Sequence, residues 1–153
     1  MRVAALTGIA MVALAASAAQ AAEAPSQAAL DRLADTLDYQ YRVVDNGPAC
    51  PAGIDGCFLS TIILTVPDDV PADVPTEGFA LYFSFVNRLP LVESDIFSHR
   101  LINGDLQQLT LKPGARLRPG TKHEVRLWGV GSNFSKAFGM PNAYLVADGL
   151  KPR

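Results

Sequence analysis

The chain of 153 residues is 49% hydrophobic, 18% charged and 8% aromatic, with 12 glycines, 11 prolines and a formal net charge of -2. Those proportions exclude a disordered or collagen-like chain, a coiled coil and a strongly basic nucleic-acid binder. Part of the hydrophobic content is concentrated in residues 1–21, where Arg2 is the only charged side chain, and that stretch is set aside before a fold is read.

In this N-terminal stretch, Arg2 supplies a positive start, residues 3–16 an apolar segment, and Ala19-Gln20-Ala21 the small residues that a signal peptidase reads. This is the pattern of a secretory signal cleaved after Ala21. The apolar run is short for a membrane span of about 20 residues and lacks a basic stop-transfer flank. An exported, periplasmic or secreted protein with no membrane segment after cleavage is therefore expected. No cysteine precedes Cys50, so a lipid-modified start is not indicated. Residues 22–148 then have the length of one domain with a core of its own.

Residues 28–37 place Leu30, Leu33, Ala34 and Leu37 at helical spacing, with Asp31, Arg32 and Asp35 opposite, and predict one short amphipathic helix. From Asp38 onward, runs rich in Val, Ile, Phe, Tyr and Thr recur between clusters of Gly, Pro, Asn and Asp, which predicts strands. The first, 39–44, ends at the turn signal Asp45-Asn46-Gly47-Pro48. Cys50 and Cys57 follow, separated by six residues of turn material. In an exported chain they are expected to form a disulfide, which by chain entropy contributes only about 2.5 kcal/mol and pins a loop.

The second strand, 58–66, carries Phe58, Ile62, Leu64 and Val66 on one face, interrupted by Ser60. Residues 67–75 hold three prolines and three aspartates and form a loop. The third strand, 79–85, has the clearest pattern: Phe79, Leu81, Phe83 and Phe85 alternate with Ala80, Tyr82 and Ser84, as in a strand with one face in a core. Strands over 96–102 and 106–111 flank Asn103-Gly104-Asp105, a strong short hairpin signal. Two more follow at 124–130 and 143–147. Seven strands, one short helix and no βαβ crossover predict an all-β fold, an antiparallel two-sheet β-sandwich of immunoglobulin-like or carbohydrate-module-like type.

Nothing in the chain forms a self-sufficient catalytic constellation. There is no Gly-x-Ser-x-Gly elbow, no phosphate-cradling loop and no His-Glu-x-x-His. His99 and His123 are the only histidines and have no partner at ligand spacing, so neither a metal nor a cofactor is expected. Asp68, Asp69 and Asp73 read as solvated loop charge rather than a calcium site. Asp105 is explained by its turn. The suggestive residues are aromatic. Tyr39, Tyr41, Tyr82, Trp128 and Tyr144 lie on predicted strands, with Tyr82 opposite the Phe79 stripe. Such rings stack on the apolar face of a pyranose while nearby polar groups bond its hydroxyls; they also serve as ordinary core residues. Trp128, Tyr144 and Tyr82 are the candidates for carbohydrate contact. Asn133-Phe134-Ser135 matches a glycosylation acceptor.

Taken in order, Tyr41-Arg42-Val43-Val44-Asp45-Asn46, the Cys50 to Cys57 loop, Leu81-Tyr82-Phe83-Ser84, the run from His99 through Asn103-Gly104-Asp105-Leu106, Trp128 and Met140-Pro141-Asn142-Ala143-Tyr144 form a recognisable series. The chain resembles the N-terminal domain of bacterial chitobiases and β-N-acetylhexosaminidases, the carbohydrate-binding-type module that precedes a family 20 glycoside hydrolase barrel. The resemblance implies a sandwich like that of cellulose-binding modules, exported and attached to an enzyme that removes N-acetylglucosamine from chitin oligomers. In those enzymes the catalytic Asp and Glu lie in the downstream barrel. No residue of this chain matches them. Phe79 stands where the family commonly has Trp. The expected function is a noncatalytic module for chitin or N-acetylglucosamine oligosaccharides, with residues 149–153 as a terminus or the start of an interdomain linker. The alternatives are the first part of a whole hexosaminidase and a stand-alone periplasmic structural or interaction domain.

Overall fold

The computed structural model describes residues 24–133 and 142–148. The expected signal segment, most of the loop before Tyr144 and residues 149–153 lie outside them. Helix α1 spans Gln27–Thr36 and is followed by β1 (Asp38–Asp45), β2 (Cys57–Thr65), β3 (Phe79–Ser84) and β4 (Leu91–Ser94). Then come β5 (Phe97–Asn103), β6 (Leu106–Leu111), β7 (Lys122–Val130) and β8 (Tyr144–Ala147). The strands form two four-stranded antiparallel sheets, ordered β1-β2-β7-β4 and β5-β6-β3-β8. No helix among the described residues is long and apolar enough to cross a membrane.

Alternation along each strand builds the core between the sheets. Phe58, Ile62 and Leu64 of β2 and Val125 and Leu127 of β7 meet Phe79, Leu81 and Phe83 of β3, Leu109 of β6 and Leu145 of β8. Helix α1 adds Leu30 and Leu33 to the same cluster, and the residue that caps its C-terminus, Leu37, joins them. Ser26 caps the helix, its hydroxyl accepting from the Ala29 amide at 3.3 Å. At about three turns such a helix is marginal alone, so its buried leucines hold it in place. Its ion pair between Arg32 and Asp73, 3.0 Å apart, is exposed and contributes less than about 1 kcal/mol.

The sandwich, the helix and the Asn103-Gly104 hairpin agree with the sequence reading, and Gly104 takes the left-handed φ of 50° that the turn requires. Two features differ. An eighth strand, β4, pairs with β7 from Leu91↔Trp128 to Ser94↔Val125. Its four residues, Leu-Val-Glu-Ser, are too few to show a period, and only the neighbouring strand defines them. Strand β3 is buried on both faces through Phe83, because Ala80 and Tyr82 form a second small cluster with Val146 outside the main core.

Candidate carbohydrate-binding faces

Strand register places four side chains in one line across the outer face of the second sheet. Tyr82 of β3 stands opposite Tyr144 of β8 on one side and Gln108 of β6 on the other, and Gln108 stands opposite Arg100 of β5. Adjacent members touch throughout. The Tyr82 and Tyr144 rings are stacked, 5.4 Å between centroids and 11° from parallel. The Gln108 Nε2 donates to the Tyr82 phenol oxygen at 2.5 Å, and the Arg100 Nε donates to Gln108 Oε1 at 3.0 Å. Because a guanidinium can only donate, these two bonds fix which way round the Gln108 amide lies.

Exposure along the line is uneven. Tyr82 is 2% exposed and Gln108 8%, whereas Tyr144 is half-buried and Arg100 exposed. Burial raises the Tyr82 phenol above its ordinary range, opposed by the Arg100 charge and the Gln108 bond, so it remains a neutral hydroxyl. Tyr82 and Gln108 are thus the locked middle of the line, and Tyr144 and Arg100 its accessible ends.

Trp128 lies on the other sheet, with its side chain on that sheet's outer face. It stands between Leu59 of β2 and Leu91 of β4. The expected disulfide is present, with Cys50 and Cys57 Cα atoms 5.8 Å apart. Its loop lays Cys50 and Ile54 against Cys57, Leu59 and Trp128. The indole Nε1 donates to Glu93 Oε2 at 2.9 Å, the same oxygen lies 3.5 Å from Arg126, and the Arg126 guanidinium sits 5.6 Å above the ring. Trp128 is 9% exposed in this setting. The structure therefore brings Tyr82 and Tyr144 together and leaves Trp128 on the opposite side of the sandwich. Replacing both cysteines by alanine should lower unfolding stability by about 2.5 kcal/mol, read from urea transitions. An unchanged midpoint would show that the loop is held by its other contacts, such as the Gly131 amide donating to the Gly56 carbonyl at 2.7 Å.

The remaining polar candidates have structural partners. Tyr39 and Tyr41 pack against the main core, and burial pushes both phenols up. Tyr41 meets Phe85 edge to face, 5.9 Å between centroids, and its oxygen accepts from Asn133 Nδ2 at 2.7 Å. Asn133 is 2% exposed, which closes the sequon to glycosylation in the folded domain. His99 bonds the buried Gln107 at 2.8 Å. His123 bonds Thr121 at 2.9 Å, and burial holds its imidazole below the ordinary histidine range against the opposing charge of Asp95. Asp68 lies against Gly120, whereas Asp73 reaches Arg32. Among the described residues no three His, Cys, Asp or Glu side chains converge to hold a metal ion.

Gln108 and Arg100 went unread in the sequence. The hairpin signal identifies the partner strands, but a register shift between Leu101 and Asn103 decides which residues face each other.

A family model described as "Putative carbohydrate binding domain" matches residues 36–153. The chain belongs to this carbohydrate-binding domain family. Phe79, Tyr82, Trp128 and Tyr144 all fall within the matched part. The family member is also similar to Beta-hexosaminidase B of Pseudoalteromonas piscicida, at 31% identity over 93 residues, which is 60% of this chain and 12% of that protein. It thus aligns with a small part of a much longer protein.

Proposed function

We propose that this domain is a noncatalytic module that binds chitin or N-acetylglucosamine oligosaccharides through the outer face of the second sheet, in support of a linked hexosaminidase catalytic domain. The observation that carries this reading is the stacked Tyr144–Tyr82 pair joined through Gln108 to Arg100. It sets a partly exposed ring at one edge of a rigid sheet and a cation at the other, a combination suited to the apolar faces and polar substituents of a sugar chain. Membership of the carbohydrate-binding family and similarity to a hexosaminidase support the choice of ligand. A signal-like start with Arg2, residues 3–16 and Ala19-Gln20-Ala21 supports export, and the mature protein would begin at Ala22. Mass spectrometry of the exported protein reads that mass directly.

Calorimetric titration with chitin oligomers tests the site. Tyr144→Ala should weaken binding about tenfold, equivalent to about 1.4 kcal/mol, while Tyr144→Phe keeps most of the affinity because the ring face is what stacks. Equal affinity of the parent and Tyr144→Ala would remove this face from consideration.

A further inference from the structure

The exposed parts of the line on the second sheet are its two ends. Tyr144 and Arg100 belong to the two edge strands, β8 and β5, with β3 and β6 between them. Three interstrand spacings separate those edge strands, about 14 Å. Between the two ends the surface is closed by Tyr82 and Gln108. A second line runs parallel to the first, two residues along each strand: Val146, Ala80, Thr110 and Ser98 stand opposite one another in the same strand order. These side chains are shorter than Tyr144, Tyr82, Gln108 and Arg100. Val146 and Ala80 of this second line are buried with Tyr82, whereas Thr110 is half-buried and Ser98 exposed.

Arg100 completes the geometry. Its Nε is committed to Gln108, and among the described residues it forms no ion pair, so its two terminal amino groups are left as donors. Tyr144 supplies stacking at one end, and Arg100 supplies donors for carbonyl or hydroxyl oxygens at the other.

We infer that the ligand is an oligosaccharide laid across the strands, spanning from Tyr144 to Arg100, so that the domain recognises a stretch of chain rather than a single terminal sugar. This rests on the proposed sugar-binding role of the same face. One pyranose seated on Tyr144 does not reach Arg100; several joined units do.

The test is calorimetry of the whole domain with N-acetylglucosamine and its oligomers from the disaccharide to the hexasaccharide, for the parent, Arg100→Ala, Arg100→Lys and Tyr144→Ala. Affinity should rise with length up to the oligomer that reaches Arg100 and then level off. Arg100→Ala should cost the longer oligomers about tenfold and leave the shortest ligands unchanged, Arg100→Lys should recover part of the loss, and Tyr144→Ala should weaken every length. Binding that is equal for short and long oligomers, or that depends on length but ignores Arg100, overturns the spanning mode while leaving sugar binding in place. No binding at any length overturns the sugar-binding role itself, and the inference with it. Because Arg100 is exposed, unchanged far-ultraviolet circular dichroism and melting temperature confirm that the variants remain folded.

Discussion

Gly129→Ala should destabilise the domain by about 3 kcal/mol, the upper part of the usual range for overpacking a close-packed core. Elsewhere in a strand the same change is often favourable, since glycine inside a strand costs roughly 0.5–1 kcal/mol relative to alanine. The reversal comes from Phe58. Gly129 is directly opposite Phe58 in the β2–β7 ladder, and an added Cβ would collide with the Phe58 ring at its Cζ and Cε1. The ring has little room to retreat, being fully buried and stacked 6.3 Å from Phe85. Phe58→Leu in the Gly129→Ala background should recover part of the loss, giving a double-mutant coupling well outside additivity. Urea unfolding of the four proteins measures it. A Gly129→Ala protein as stable as its parent would mean that the ring does not lie over the glycine.

Phe83→Ala should cost about 3–5 kcal/mol, as expected for truncating a large aromatic side chain in a close-packed core. Phe83 lies on the inner face of β3, where its side chain is 0% exposed and meets Phe85 edge to face at 6.4 Å. Strand β3 is paired on both sides, by β6 and β8, so backbone movement to fill the cavity would strain two ladders. A loss near 1 kcal/mol in thermal or urea unfolding would show that the sheets collapse around the gap.

The inner halves of the strands were legible because period two is a direct record of which face is dry. The Phe79, Leu81, Phe83 stripe and the leucines of α1 all reach the core their spacing implied. The disulfide was legible for a different reason, the short turn-rich spacing of Cys50 and Cys57 in a chain with an export-like start. The outer faces were not legible. Tyr82 opposes the core stripe, as alternation requires, but its burial comes from a cluster with Ala80 and Val146 on β8. Trp128 has the same alternation, but its surroundings depend on a loop that folds back from before β2 and on a four-residue strand without a pattern of its own. The line from Tyr144 to Arg100 depends on register across three strand pairs, one of them shifted by a bulge. Period identifies a residue's face, whereas register identifies its neighbours, and neighbours make the site.

The placement of Trp128 also sets how binding to this domain can be observed. It is the only tryptophan in the chain, and it sits on the sheet opposite Tyr144, beneath the disulfide loop. Its emission reports on that loop and on the Glu93 and Arg126 contacts beside the indole. A sugar occupying the Tyr144 face changes nothing in contact with the fluorophore. An intrinsic-fluorescence titration of the native domain would therefore stay flat at full occupancy, whereas the same signal would respond early to reduction of the disulfide.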